Sequence, residues 1–141
     1  MNTREIISDI LWERKSTCGI DSVCFVACGG SLTALAPAKS FLELNSKNLK
    51  TGYFTSNEFV HNPPSYFGRN SLLITSSHSG NTPETVEAAK LAKSLGASVI
   101  SMTYAEGSPI TEPASCSIVY EWGEGSHPSK QKPTYVLGLA L

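Results

Sequence analysis

Four hydroxyl side chains and a glycine crowd into the seven positions Ser76-Ser77-His78-Ser79-Gly80-Asn81-Thr82. A strand-to-helix connection needs one N-cap residue and at most a glycine to turn the chain. The surplus points to anion binding. Glycine lets backbone N–H groups approach an anion closely, a helix N-terminus adds free donors and a positive dipole end, and hydroxyls add donors of adjustable direction. A second stretch, Cys28-Gly29-Gly30-Ser31, combines the same residue types after another apolar run. Neither stretch contains a lysine, so neither is a G-x-x-x-x-G-K-[ST] nucleotide loop. Together they suit one dianionic phosphate held by neutral donors.

Blander roles are open to several of these residues. Ser76 ends a strand and can face the core or a neighbouring loop. Thr82 can simply cap a helix, although Thr82-x-x-Thr85 lacks the glutamate of a capping box. Glu84, in the first helical turn, can do no more than complement the dipole. His78 is a lone loop histidine, a weak signal for a base. Capping alone accounts for one hydroxyl rather than three.

The elements that must carry these loops follow from periodicity. Ile6, Ile7, Ile10 and Leu11 predict a helix over 3–16, closed by Gly19. Val23 to Cys28 is a continuous apolar run, as in a strand buried on both faces. Gly29-Gly30-Ser31 reads as a tight turn before a helix over 32–44, with Pro37 in its first turn or two. Strands are predicted over 51–55, 71–76, 97–103 and 116–122, a helical start over 56–60, a helix over 83–95 stopped by Gly96, and a loop or short helix over 109–114. Strands alternating with helices predict an α/β fold, a three-layer αβα sandwich around a parallel sheet. In such sheets ligands sit beyond the carboxyl ends of the strands, where strand order reverses. Both hydroxyl-rich stretches fall there.

Composition narrows the function. A chain of 141 residues, 40% apolar, holds one domain with a real core. Its formal net charge is −1 and its basic residues are dispersed, which argues against nucleic acid as a partner. Four cysteines, Cys18, Cys24, Cys28 and Cys116, form no C-x-x-C pair, and nothing offers a metal-ligand set or implies a cofactor. No signal peptide opens the chain and no stretch reaches membrane-spanning length, so a reducing cytoplasm is expected and a membrane is not. The polar, proline-bearing segment 123–133 reads as a linker. Beyond it, Thr134 to Leu141 is apolar and starts like a helix without a cap or exit signal, which predicts that the chain is the front part of something longer.

"SHSGNTPETVEAAKLAKSLGA" resembles the signature of the SIS (sugar isomerase) domain, whose core is Ser-x-Ser-Gly-x-Thr before a helix bearing acidic residues. "VACGGS" is similar to that family's first loop and "SPIT" to its element after the fourth strand. The resemblance covers residues 20–122 and implies a Rossmann-like αβα sandwich with a five-stranded parallel sheet that binds phosphosugars. It divides the chain into an N-terminal helix (1–19), a SIS domain (20–122), and a linker with the start of a helix leading to a second SIS domain (123–141). Within the family, "ACGGSLTALAPAKSFLE", "SNEFVHNPP" and "SHSGNTPETVEAAKLAK" look most like the amino-terminal half of fructosamine-6-phosphate deglycases, which cleave 6-phosphorylated Amadori compounds into an amino acid and glucose 6-phosphate.

The resemblance implies that Ser77, Ser79 and Thr82 hold the sugar phosphate with the N–H groups around Gly80. It places Gly30, Ser31, His78, Thr103 and Ser108 about the sugar, and it leaves the role of Glu58 open. It implies a homodimer, no cofactor and no metal. It also implies that catalytic Glu and His groups come from a second domain: this chain has no His-Gly-Pro motif, so no catalytic residue is assigned in it. Two alternatives share the loops: a non-catalytic phosphosugar sensor and a ketose or aldose phosphate isomerase.

Overall fold

A computed structural model describes residues 19–121 together with Glu5, Ser8, Pro133 and Thr134. The predicted helix over 3–16 and the 123–141 segment lie, apart from those four positions, outside the described residues. Five strands form one sheet: β1 (Ser22–Ala27), β2 (Lys50–Thr55), β3 (Ser71–Ser76), β4 (Ser98–Thr103) and β5 (Cys116–Val119). Their order is β2-β1-β3-β4-β5 and every pairing is parallel. Three helices connect them, α1 (Gly29–Asn45), α2 (Ser56–His61) and α3 (Pro83–Ser94), with a 3₁₀ turn at Pro109–Thr111.

Both faces of the sheet are covered. All six residues of β1, β3 and β4 are buried, and the period of two sorts them between two cores. Val23, Phe25, Leu72, Ile74, Ile100 and Met102 face α1, where Leu32, Leu35 and Ala38 meet them. Cys24, Val26, Leu73 and Val99 face the other way, against Phe59 of α2 and Ala88, Ala89 and Ala92 of α3. These three alanines are fully buried, so α3 lies close on the sheet with no long side chain between.

Local sequence sets the helix ends. Thr55 caps α2: its hydroxyl accepts from the Glu58 N–H, and Glu58 Oε2 accepts in turn from the Thr55 N–H at 2.9 Å and from its hydroxyl at 2.8 Å. Glu58 therefore closes a capping box. These bonds, the backbone one foremost, hold its carboxyl below the usual glutamate range. At the far end of α3, Gly96 adopts φ +83°, the Ala97 N–H donates to the Ala92 carbonyl at 3.1 Å and the Gly96 N–H to Lys93 at 3.0 Å. That is a Schellman ending, and it needs a residue free to enter the left-handed region.

Two expected boundaries are displaced by three residues; the strand predicted over 116–122 ends at Val119, where its pairing partner β4 ends at Thr103. Helix α1 starts at Gly29, not residue 32, with Cys28 as its N-cap. The glycine pair reads as a turn because glycine is a poor helix former, yet here it forms the first helical turn, with Gly29 at φ +54°. Pro37 consequently lies in the third turn, where it removes the N–H that would bond the Thr33 carbonyl.

Candidate functional site

Strand order reverses between β1 and β3: β1 connects outward to β2 on one side, and β3 leads to β4 and β5 on the other. Ala27 pairs with Ser76 at the carboxyl ends of these two strands. The residues that follow, Cys28 and Ser77, thus open two adjacent connections at the switch point, where a parallel α/β sheet leaves a crevice. Each connection enters a helix N-terminus. The two helix starts are tied directly, since the Thr85 hydroxyl in the first turn of α3 donates to Cys28 Sγ, the N-cap of α1, at 3.5 Å. Ser56, the first residue of α2, bonds the same Thr85 hydroxyl at 3.0 Å. Ser56 and Thr85 are fully buried and were missed from sequence. Their only signal there is a hydroxyl on the inner face of each helix start.

The β3–α3 loop is held from below. The Ser77 N–H donates to the Met102 carbonyl at 3.0 Å, and the Gly80 N–H to the Ser77 carbonyl at 3.0 Å. The His78 carbonyl accepts from the Tyr104 N–H at 3.2 Å and the Thr103 hydroxyl at 3.0 Å. The Gly80 carbonyl accepts from the Ile110 N–H at 3.1 Å. Gly80 has φ +70°, and a Cβ there would overlap the Ser108 side chain, with Thr103 Oγ1 3.0 Å away. Glycine is thus required twice over, by conformation and by space.

Of the residues singled out for phosphate, Ser77 and Thr82 share a hydroxyl–hydroxyl bond of 2.9 Å. Thr82 is the N-cap of α3, but its side chain makes no capping bond. Its hydroxyl turns to Ser77 instead of to the helix. Ser79 is exposed at the tip, its hydroxyl 3.4 Å from the Asn81 N–H, a marginal contact. Gly30 and Ser31 lie in the first turn of α1, exposed and half-buried respectively. Thr103 is fully buried beneath the loop with its hydroxyl engaged, and Ser108 is buried with no partner for its hydroxyl among the described residues. Both bracket Gly80. His78 is half-buried, its Nδ1 3.0 Å from the Tyr120 hydroxyl and its ring 4.5 Å from that of Tyr104, centroid to centroid.

Neither loop carries a lysine or arginine, so an anion here would be met by hydroxyls, backbone N–H groups and two helix dipoles. Among the described residues no cluster of His, Cys, Asp or Glu is placed to hold a metal ion, and no helix is long and apolar enough to cross a membrane. The family model of the SIS domain matches residues 20–141. The chain belongs to the SIS domain family.

The SIS match runs past residue 122, to the end of the chain. Consistent with that, Thr134 is buried and bonds Ser76 at the end of β3 at 2.9 Å. Among related SIS proteins, the chain is 44% identical over 105 residues to the fructosamine deglycase FrlB of Bacillus subtilis, covering 74% of this chain and 32% of that protein. It is 34% identical over 102 residues to the fructoselysine 6-phosphate deglycase of Escherichia coli O157:H7, covering 72% and 30%. A solved structure from Salmonella typhimurium, assigned as a phosphosugar isomerase, superposes with a TM-score of 0.84 at 40% identity, covering 99% of this chain and 43% of that one. The chain spans about a third of the length of the curated deglycases it matches.

Proposed function

We propose that this SIS domain binds a 6-phosphorylated sugar at the β1/β3 switch point, as the amino-terminal domain of a fructosamine 6-phosphate deglycase. The observation that carries the reading is the pair of helix N-termini tied through Thr85 and Cys28, with the uncharged hydroxyl loop Ser77-x-Ser79-Gly80-x-Thr82 between them. In this reading Ser77, Ser79 and Thr82, with the N–H groups around Gly80, hold the phosphate. Gly30, Ser31 and His78 face the sugar from either side. Thr103 and Ser108 shape the loop from beneath, where both bracket Gly80. The deglycase rather than the isomerase reading is favoured by the 44% identity to the Bacillus enzyme. Proton shuffling at the sugar's C1 and C2 needs a carboxylate or imidazole acting as base and acid. We assign those groups to the remainder of a full-length enzyme, and the working unit to a homodimer in the cytoplasm.

Titration calorimetry with glucose 6-phosphate, and with glucose as control, tests the binding claim. Ser77→Ala and Ser79→Ala should each weaken glucose 6-phosphate binding by about 1.5–3 kcal/mol, as expected for a hydrogen bond to a charged group, with unchanged circular dichroism. Equal affinity of wild type and both variants would remove the phosphate from this loop.

A further inference from the structure

His78 sits between the two serines assigned to phosphate, and its ring is restrained by two tyrosines from elsewhere in the chain. Tyr104, just past β4, stacks on it at 4.5 Å between centroids, with the planes 36° apart. Tyr120, just past β5, lies 6.0 Å away at 31° and brings its hydroxyl to 3.0 Å from Nδ1. Tyr104 is 42% exposed and forms the outer wall, whereas Tyr120 is buried. The main chain of His78 is pinned independently through its carbonyl by Thr103 and Tyr104.

The direction of the His78–Tyr120 bond follows from the chemistry of its ends. An imidazole nitrogen is a much stronger base than a phenol oxygen, so the favoured arrangement has the phenol donating to a bare nitrogen. Burial keeps the Tyr120 phenol protonated and hence a donor. With Nδ1 accepting, the ring hydrogen of neutral imidazole resides on Nε2. An outer partner setting the tautomer of a working histidine is a general device.

We propose that Tyr120 is a positioning residue for the phosphosugar site: its hydroxyl holds His78 in the Nε2–H tautomer and in one orientation. The affinity consequence rests on the phosphosugar reading; the tautomer does not.

Two measurements on the 141-residue chain separate these. Long-range nitrogen–proton NMR spectra of the ¹⁵N-labelled protein, recorded at mildly alkaline pH, report which ring nitrogen carries the hydrogen. The chain has three histidines, and His78→Gln identifies the relevant signal. A hydrogen-free Nδ1 in wild type that becomes a mixture of tautomers in Tyr120→Phe is the expected result. An Nδ1–H tautomer in wild type, or an unchanged signal in the variant, overturns the proposal without bearing on phosphate binding. Calorimetry with glucose 6-phosphate should show Tyr120→Phe weaker by about threefold to tenfold, the net worth of one hydrogen bond. Binding by wild type and equal binding by the variant refutes the positioning role alone. No binding by wild type removes the phosphosugar reading, and the positioning role with it.

Discussion

Replacing Gly80 by alanine tests whether the site loop is locked by geometry. Two separate costs are imposed. The backbone at φ +70° places an L-residue in the left-handed region, at about 1–2 kcal/mol. The added methyl then overlaps the Ser108 side chain, with Thr103 Oγ1 at 3.0 Å, and overpacking of this kind costs about 1–3 kcal/mol more. Ser108 cannot easily withdraw. Its N–H is bonded to Ala105 at 3.2 Å, its carbonyl takes the Thr111 N–H at 2.9 Å and hydroxyl at 2.7 Å, and the next turn is tied back to the Gly80 carbonyl through Ile110. The sum, about 2–5 kcal/mol, is a large part of the roughly 5–15 kcal/mol that ordinarily holds a domain together.

Gly107→Ala is the internal control. Gly107 has nearly the same torsion, φ +69°, but open space around the position its Cβ would take, so only the backbone cost applies. Urea unfolding followed by far-ultraviolet circular dichroism should therefore rank wild type above Gly107→Ala, and Gly107→Ala above Gly80→Ala. Adding Ser108→Gly to Gly80→Ala should return about 1–3 kcal/mol as a coupling energy in a double-mutant cycle. Equal destabilisation by the two alanine variants, or a coupling near zero, would refute the contact between the loop and Ser108 as the restraint.

Two further expectations concern ionisable groups. The Glu58 carboxyl titrates below its unfolded value, so the stability it contributes is fully present above the unfolded pKa of about 4.3 and is lost as pH falls through the lower folded value. Wild type should accordingly exceed Glu58→Gln in urea midpoint at neutral pH, and the gap should close in acid; a gap independent of pH would mean the capping box does not depend on the charge. Among the described cysteines, burial pushes the Cys24 thiol up to about 11, whereas Cys28 is half-buried at the N-terminus of α1. Iodoacetamide at neutral pH should modify Cys28 well before Cys24, as read by peptide mass spectrometry. Glucose 6-phosphate should slow the Cys28 reaction, and equal rates with and without the sugar would separate Cys28 from the ligand site.

Much of the fold was legible because its signals are local. Doubly buried strands write themselves as unbroken apolar runs, and β3 at Ser71–Ser76 was bounded to the residue. The start of α1 was not legible, since two consecutive glycines look alike in a turn and in a helical first turn. The capping box was written plainly as Thr55-x-x-Glu58. It was obscured because Thr55 is also the last residue of a strand, so its second role went unread. At the site, the hydroxyl loop was visible as a cluster in sequence. Its supports were not: Tyr120 is 42 positions from His78 and Thr85 is 57 from Cys28, distances over which a single sequence carries no pairing information.

The central place of β1 bears on how the chain emerges and folds. Among the described residues β1 is the first strand, and it pairs with both β2 and β3, so this sheet grows outward from β1. Once residue 55 is available, a two-stranded parallel unit can form under α1, but its β1 side stays open until β3, which starts at Ser71, is complete. During that interval the row of backbone groups along an apolar strand is an invitation to another nascent chain. Synthesis that stalls between β2 and β3 should therefore leave this sheet prone to aggregation, with the β1 edge from Ser22 to Ala27 uncovered.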